Sequence, residues 1–243
     1  MRRFFLERVR PRDGQVTVTG SEARHMIRVL RMGPGDRLVL MDGSGARYQA
    51  LIQAVGRDRA DLLLERPLPV PEPSPLKITV CPSLLKSRPM DLLIQKASEL
   101  GVAAVHPYTS SRTVVHLEGK RLESRLRHWQ EIARSAAKQA DRAVPARVER
   151  PVSFEALLDE WRDREAFRLM LWESEGASDL KGFLRGGKRS EEVAAVVGPE
   201  GGFHPDEVRA AGEAGFSPVS LGRRILRAET AVLAVAALLQ YEW

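Results

Sequence analysis

The first 66 residues alternate between apolar and polar positions in short runs, which Asp-Gly, Gly-Ser-Gly and Gly-Arg-Asp turns separate. A period of two is typical of β-strands that bury one face. A helical pattern over residues 21–31, with Ser21 as the expected N-cap, interrupts these runs. The predicted strands cover residues 16–19, 37–41, 48–55 and 60–64. This pattern predicts a small β-barrel of about 70 residues.

Five prolines occupy every second position from residue 67 to residue 75. Because proline fixes its own φ and has no N–H to donate, this segment is expected to be stiff and extended. It is also a poor candidate for a helix or a central strand. We interpret it as a linker, and it predicts a domain boundary near residue 70.

Beyond the linker, continuous apolar runs alternate with helical patterns. Pro89 at a start and Gly101 at an end enclose one predicted helix. A second helix, over residues 120–140, carries its apolar residues on one face and a basic stripe on another, formed by Lys120, Arg127, Arg134 and Lys138. The predicted buried strands cover residues 78–81, 102–105, 169–172, 193–197 and 218–221. Strand and helix in alternation indicate an α/β fold with a parallel sheet.

The composition is that of an ordinary globular protein. Apolar residues make up 43% and charged residues 29% of the 243 positions, unlike the balance of disordered or fibrous chains. The longest apolar run, residues 231–239, is far shorter than the roughly 20 residues that a membrane span needs. The first residues lack the apolar stretch of a secretory signal, and one cysteine, Cys81, allows no intrachain disulfide. We therefore expect a soluble cytoplasmic protein.

Basic residues exceed acidic ones by 38 to 32, giving a net charge of +6. The excess is concentrated in residues 1–37 and 112–150, each with a net charge of +5. Two basic segments on an otherwise mildly acidic chain indicate a partner that carries phosphates, and nucleic acid is favoured. The alternative is an arginine-rich surface that only contacts solvent.

Three predicted strands end in loops suited to chemistry. The strand over residues 193–197 runs into a turn with three glycines, and the spacing matches neither the dinucleotide fingerprint nor a Walker loop. That turn on its own is equally consistent with a simple strand-to-helix connection. A loop with three arginines follows residue 221, and Leu-Trp-Glu-Ser-Glu ends the strand that reaches residue 171. Since ligands of open α/β sheets bind beyond the carboxyl ends of strands, the three loops are candidates for one pocket.

Two motifs about twenty residues apart carry a resemblance to a known family. The first is Gly-Pro-Glu-Gly-Gly-Phe at residues 198–203, and the second is Leu-Gly-Arg-Arg-Ile-Leu-Arg-Ala-Glu-Thr-Ala at residues 221–231. Together they resemble the SPOUT methyltransferases and, more closely, the RsmE family of 16S rRNA (uracil(1498)-N3)-methyltransferases. Segments at residues 25–36, 91–102 and 137–145 agree, so the resemblance extends over nearly the whole chain.

The resemblance implies a fold, a cofactor and a homodimer. The fold is a PUA-like RNA-binding β-barrel over residues 1–70, followed by a SPOUT α/β domain over residues 71–243 whose C-terminal part forms a trefoil knot. The cofactor is S-adenosylmethionine, whose adenine is expected to be held by backbone amides of the glycines and by apolar contacts from Leu171, Leu221, Ile225 and Leu226. The implied cofactor-binding residues are Leu171, Trp172, Glu173, Gly198, Pro199, Glu200, Gly201, Gly202, Leu221, Gly222, Ile225, Leu226, Arg227 and Thr230. The family commonly has Ser or Thr in place of His204, so a weaker helix cap is expected there.

Methylation of uracil N3 requires that its proton be removed or that the resulting anion be stabilised. Arg227 is the first candidate to stabilise the anion, and a structural ion pair is its alternative role. Glu200 is a candidate to contact cofactor or base, and its alternative role is to brace its loop. Methylation at C5 would need a thiolate nucleophile. Cys81 lies in an apolar strand and is expected to be a core residue, which favours N- or O-methylation.

Nine basic residues are candidate RNA contacts, with plain exposed arginines or inter-domain polar ties as the alternatives. The five histidines show no spacing typical of metal ligands, and no metal is expected. His25, within an apolar helix, is expected to pack rather than to act in catalysis. The candidate RNA contacts are Arg2, Arg3, Arg28, Arg31, Lys86, Arg88, Arg112, Lys138 and Arg142.

The sequence therefore predicts an S-adenosylmethionine-dependent methyltransferase of N3 of uridine 1498 in 16S rRNA, acting within the 30S subunit. One alternative is a knotted methyltransferase for another RNA site or for the ribose 2′-oxygen. The other is a catalytically idle RNA-binding protein of ribosome assembly. The intact motifs argue against the idle protein, since such a protein has no need of cofactor loops.

Overall fold

The structure is a computed structural model that describes residues 1–6, 14–72, 74–173, 178–186 and 190–242. Contacts within the chain divide it into two compact units. The first contains residues 1–72 and 137–145, and the second contains residues 73–136 and 146–243. Some residues of the predicted basic segment and of the third loop lie outside the described part, namely Arg8, Arg10, Arg12, Ser174 and Glu175.

The first unit is built on one five-stranded sheet in the order β1-β3-β4-β5-β2. Strands β1 and β3 are parallel, and the other neighbours are antiparallel. The elements are β1 (Arg2–Phe5), β2 (Gln15–Thr19), α1 (Gly20–Arg24), a π-helical turn (His25–Val29), β3 (Arg37–Met41), β4 (Arg47–Val55) and β5 (Arg59–Pro67). The predicted alternation is clearest in β2, where Val16 and Val18 are buried between exposed neighbours. The four strands expected from the sequence are all present.

The helix predicted over residues 21–31 is shorter and less regular than expected. Its α-helical part ends at Arg24, a π-helical turn follows, and Arg31 has a positive φ of 53°. The expected cap at Ser21 is wrong, because the helix already begins at Gly20 and Thr19 takes the N-cap position without a side-chain hydrogen bond. His25 is exposed, with its ring 6.1 Å from the ring of Phe4 in an edge contact.

Residues 137–145 complete the first unit through charged contacts. The Asp141 carboxylate accepts a hydrogen bond from Arg47 Nη2 at 2.6 Å and also pairs with Arg3. Lys138 Nζ donates to Glu22 Oε1 at 2.7 Å. The sequence pattern assigned residues 137–140 to the long basic helix of the second domain, whereas the structure places residues 137–145 in the first unit.

The proline-rich segment begins inside the sheet. Strand β5 continues to Pro67, which lies opposite Tyr48, and the Leu68 N–H donates to the Arg47 carbonyl at 2.8 Å. Proline is tolerated here because it is the last residue of its strand. The expected linker therefore starts after residue 68, and its insulating role stays a prediction.

The second unit is a parallel α/β sheet of seven strands in the order β12-β14-β11-β13-β6-β7-β9. A separate pair, β10-β8, is also parallel. Its strands are β6 (Lys77–Pro82), β7 (Ala104–Val105), β8 (Tyr108–Thr109), β9 (Arg147–Val148), β10 (Val152–Ser153), β11 (Phe167–Leu171), β12 (Ser178–Asp179), β13 (Glu192–Val197) and β14 (Ser217–Ser220). Its helices are α2 (Ser87–Glu99), α3 (Gly119–Gln139, of which the last three residues belong to the first unit), α4 (Phe154–Arg162), α5 (Leu180–Gly186), α6 (Pro205–Glu213) and α7 (Ala228–Glu242).

Helices cover both faces of this sheet, as the continuous apolar strands predict. Along β13, Val193, Ala195 and Val197 face a core shared with α2 and α7. Ala194 and Val196 face a second core shared with α4 and α6. No helix in the described part of the chain is long and apolar enough to cross a membrane. The trefoil knot implied by the resemblance stays a prediction.

Candidate active site

Three strand ends meet at one edge of the sheet. Strand β11 lies between β13 and β14, and Leu171 at its end is paired with Val197 on one side and Val219 on the other. Because all three strands are parallel, the loops that follow them leave the sheet side by side. The Trp172 N–H extends the ladder by donating to the Val219 carbonyl at 3.0 Å. The three strand ends are therefore adjacent, as the sequence predicts, and one pocket shared by all three loops stays a prediction.

A shallow cleft with a volume of about 20 Å³ opens between the ends of β11 and β14. Its walls combine apolar side chains with one carboxylate, Glu173, and one guanidinium, Arg224. The residues lining it are Leu171, Trp172, Glu173, Val219, Ser220, Leu221, Arg224, Leu226 and Ala231. This volume is far below the roughly 300–1,000 Å³ of most small-molecule sites, so most of a nucleoside ligand would lie outside the cleft, against the surrounding loops.

Five of the fourteen predicted cofactor-binding residues line this cleft: Leu171, Trp172, Glu173, Leu221 and Leu226. Sequence analysis missed four other lining residues, Val219, Ser220, Arg224 and Ala231. Arg224 and Ala231 lie inside the second motif, and Val219 and Ser220 directly precede it along the chain. Proximity in the sequence was the signal that could have identified them.

Ile225 does not line the cleft, although the resemblance implied that it holds the adenine. Its side chain is 83% exposed, whereas that of Leu226 is half-buried in the cleft wall. The two neighbouring side chains therefore differ in their surroundings, and of the pair only Leu226 lines the cleft. Gly222, with φ of 105°, and Thr230 are also exposed and outside the cleft lining.

The glycine loop, residues 198–203, follows β13 and is tightly packed at its first residue. A Cβ at Gly198 would lie 2.9 Å from Cε2 of Phe203, closer than real side chains pack. The Phe203 ring therefore occupies the space that any larger residue at position 198 would need. Further along, the Gly202 N–H donates to the Pro199 carbonyl at 2.9 Å, and Gly202 has a positive φ of 68°. The glycines allow a compact turn at the end of the strand.

Arg112 contacts this loop directly. Its Nη1 donates to the Gly201 carbonyl at 2.7 Å and to the Phe203 carbonyl at 3.3 Å. This contact lies within the second unit, so it is not the inter-domain tie that was the alternative for Arg112, and the RNA contact of Arg112 stays a prediction. No local pattern predicts this contact, because it joins residues about 90 positions apart.

His204 caps helix α6, against the expectation of a weak cap. Its ring Nδ1 accepts a hydrogen bond from the Asp206 N–H at 3.3 Å. In return, Glu207 Oε2 accepts from the His204 N–H at 2.8 Å, which completes a capping box. A ring nitrogen thus takes the place of the hydroxyl that the family commonly has.

The two catalytic candidates, Arg227 and Glu200, are both exposed. Within the described residues, neither side chain forms a hydrogen bond or an ion pair. The Arg227 backbone is fixed, because its carbonyl accepts the Ala231 N–H at 2.8 Å where α7 begins. The structure therefore leaves both side chains accessible and does not join them to each other.

Cys81 is fully buried in the core beside α4 and α6, and burial raises the pKa of its thiol far above the ordinary value. A thiol held in this form is not available as a nucleophile. Tyr108 is equally buried, burial raises the pKa of its hydroxyl, and it donates to the Val197 carbonyl at 3.1 Å. Among the described residues, no three His, Cys, Asp or Glu side chains form a group that could hold a metal.

The nine candidate RNA contacts differ in how free their side chains are. Arg2 donates to the Leu30 carbonyl, and Arg28 pairs with Asp58 at 2.8 Å. Arg3 and Lys138 belong to the charged contacts of the first unit. Arg142 is half-buried, and burial lowers the pKa of its guanidinium. Three others are exposed, Arg31, Lys86 and Arg88.

Two family models match this chain. The RNA methyltransferase domain matches residues 72–240, and the RNA methyltransferase PUA domain matches residues 18–65. Two similar proteins are both named ribosomal RNA small subunit methyltransferase E. The one from Bacillus subtilis is 29% identical, over 100% of this chain and 97% of its own length. The one from Mycobacterium tuberculosis is 33% identical, over 94% of this chain and 87% of its own.

A solved structure agrees with these matches. It is a ribosomal RNA small subunit methyltransferase E from Neisseria gonorrhoeae bound to S-adenosyl methionine, 36% identical to this chain. The TM-score is 0.91, with 100% of this chain and 98% of that chain covered. The PUA-like unit and the SPOUT α/β unit expected from the two motifs are thereby confirmed. The chain belongs to the ribosomal RNA small subunit methyltransferase E family of RNA methyltransferases.

Proposed function

We propose that this protein transfers a methyl group from S-adenosylmethionine to N3 of uridine 1498 in 16S rRNA. The observation that carries the proposal is the cleft between the ends of β11 and β14, lined by residues of two of the three expected loops. The similar protein of known structure is bound to the same cofactor. Ribosomal RNA is cytoplasmic, so we place the reaction in the cytoplasm.

The lining of the cleft fits the chemistry of this cofactor. Leu171, Leu221 and Leu226 offer apolar surface for an adenine ring. The Glu173 carboxylate can accept hydrogen bonds from the ribose hydroxyls or the amino group of the cofactor. The Arg224 guanidinium can pair with the carboxylate of the cofactor. When bound, the cofactor supplies a sulfonium methyl group that reacts with a nitrogen or oxygen nucleophile. No covalent enzyme intermediate is needed, in agreement with the buried and protonated Cys81.

The chain's own task in the reaction is to stabilise the uracil after N3 loses its proton. We assign this role to Arg227, whose side chain is exposed directly after Leu226 of the cleft wall. A guanidinium can donate to both uracil oxygens that share the negative charge. Glu200 is exposed on the loop that follows β13, and we assign it a contact with the base or the cofactor.

We further propose that the first unit captures RNA. It holds most of the candidate RNA contacts, and the PUA domain match lies within it. The primary candidates for phosphate contacts are the exposed Arg31 of the first unit and the exposed Lys86 and Arg88 of the second unit, which would extend the RNA contacts beyond the first unit. We propose the assembled 30S subunit, rather than free rRNA, as the substrate.

The proposal includes a homodimer formed through α2 and α7, which pack against each other. Large apolar side chains remain exposed on these two helices: Leu92 at 43%, Leu238 at 43% and Tyr241 at 85%. Exposed apolar residues of this kind often mark a protein interface. Light scattering should give the mass of a dimer, and Leu238→Glu should give a monomer.

Two adjacent residues provide the test of the cofactor site. Leu226 lines the cleft and Ile225 does not, although the two side chains are similar in size. Leu226→Gln should weaken S-adenosylmethionine binding by about 5–30-fold, because part of a buried leucine contact of about 1–2 kcal/mol is lost. Ile225→Gln should change the Kd less than twofold. Isothermal titration calorimetry measures both. The absence of heat with the wild-type protein would refute the enzyme assignment.

A further inference from the structure

The carbonyl groups of the glycine loop are held by a side chain from a different part of the second unit. Arg112 lies in the turn after β8 and donates from Nη1 to the carbonyls of Gly201 and Phe203. One charged group thus contacts two backbone carbonyl groups of the loop. Hydrogen bonds from a charged donor are stronger than those between neutral groups.

These contacts fix the peptide plane between Gly201 and Gly202. Its carbonyl oxygen points to Arg112 at 2.7 Å, and its N–H donates to the Pro199 carbonyl at 2.9 Å. Because the peptide group is planar and trans, a partner on each side specifies its orientation. Glycine has little conformational preference of its own, so this orientation depends on those partners.

The turn that carries Arg112 is itself anchored. Thr113 is 6% exposed, its Oγ1 accepts from the Ser110 N–H at 2.8 Å and is 2.9 Å from Ser83 Oγ. Ser111 Oγ donates to Glu207 Oε1 at 3.0 Å, which links the turn to the first turn of α6. The guanidinium therefore extends from a rigid base on one side of the loop.

We propose that Arg112 is a positioning residue that holds the glycine loop in the conformation that binds S-adenosylmethionine. This inference rests on the proposed function and deepens it. Arg112 acts through the loop, whose backbone the cofactor contacts, and it is not assigned a contact with the reacting atoms. An RNA phosphate contact by the same side chain is the competing role, and the experiment separates the two.

The test compares three variants by calorimetry with S-adenosylmethionine. Arg112→Met removes the charge and keeps the bulk. Arg112→Lys keeps the charge and can reach one carbonyl. Arg209→Met is the matched control, because Arg209 is exposed on α6 and, among the residues that the structure describes, forms its ion pair with Asp206 on its own helix.

Arg112→Met should raise the Kd for S-adenosylmethionine about tenfold, and Arg209→Met should change it less than twofold. Arg112→Lys should recover a large part of the loss, which a role in packing bulk would not, since Met and Lys are similar in size. Hydrogen exchange of the amides at residues 200–204 should be faster in Arg112→Met than in Arg209→Met. The KM for the cofactor should rise, while the affinity for 30S subunits without cofactor stays that of the control.

The inference is overturned if Arg112→Met binds the cofactor as tightly as Arg209→Met, or if it loses affinity only for 30S subunits. The second result would assign Arg112 to RNA. Failure of the wild-type protein to bind the cofactor would overturn the proposed function together with this inference. Normal wild-type binding with an unaffected variant overturns this inference alone.

Discussion

Substituting Gly198 by alanine tests whether the glycine loop is packed as tightly as the structure indicates. The added Cβ would lie 2.9, 3.1 and 3.2 Å from three carbons of the Phe203 ring. The ring is buried, with its centroid 6.1 Å from that of Phe154, so it has little room to retreat. Overpacking of this kind costs about 1–3 kcal/mol. For a chain of this size each kcal/mol lowers the Tm by about 2–4 °C, so a fall of about 2–12 °C is expected.

Gly201→Ala is the matched control in the same loop. Its Cβ would meet only the Arg112 side chain, at 3.6 Å from Cδ, which is ordinary contact. Its φ lies outside the left-handed region, so the Tm should stay at the wild-type value or rise slightly, since alanine restricts the unfolded chain.

Differential scanning calorimetry of both variants, with and without S-adenosylmethionine, is the assay for this pair. Phe203→Leu combined with Gly198→Ala should recover part of the loss, because the smaller side chain yields space. Equal Tm values for the two alanine variants would refute the steric argument.

Three further predictions follow from charge and burial. The exposed Lys120 and Arg127 should each contribute about 0.7–0.9 to the slope of log RNA affinity against log salt concentration. If the variant with both Lys120→Met and Arg127→Met has the wild-type slope, these two side chains contact only solvent. Cys81 should not react with a thiol reagent in the folded protein at about pH 8, because burial raises the pKa of its thiol, and it should react once urea unfolds the chain; rapid native labelling would contradict its burial. Burial lowers the pKa of His106, against an opposing effect of the Glu160 carboxylate, so the folded protein binds this proton less readily than the unfolded chain. The stability that the neutral His106 contributes should be complete above about pH 6.5 and decline as the pH falls. Between about pH 7.5 and 5.5, the Tm of His106→Asn should therefore fall by less than the Tm of the wild-type protein. Equal falls in Tm would contradict a lowered pKa of His106.

Periodicity predicted the elements whose burial follows a simple repeat. Strand β2 alternates, β13 is continuously apolar, and α2 begins near Pro89, so local pattern and final structure agree in each. The pattern did not predict the start of the short helix α1. Gly20 has a positive φ of 72° and is already helical, so the helix starts before Ser21, the residue expected to cap it. Backbone geometry at one glycine outweighed the capping preference of Ser21.

Local patterns of apolar and polar residues cannot predict contacts between distant parts of the chain. The bond from Arg112 to the glycine loop joins segments far apart in sequence, as does the pairing of Arg47 with Asp141. In both cases a basic residue links two distant parts of the same unit. The cleft illustrates the same limit, because the motif contained both Ile225 and Leu226, and only the fold determines which side chain faces inward.

The central claim is that this protein methylates one uridine of 16S rRNA at N3, with S-adenosylmethionine bound at the ends of β11 and β14. Its most direct test is to incubate the protein with unmodified 30S subunits and isotope-labelled cofactor, then to map the labelled nucleoside by mass spectrometry. We expect a single labelled 3-methyluridine at position 1498. At a cofactor concentration near the wild-type Kd, its yield should fall in Leu226→Gln and stay at the wild-type level in Ile225→Gln. Label on a ribose, on another base or on no nucleoside at all would contradict it.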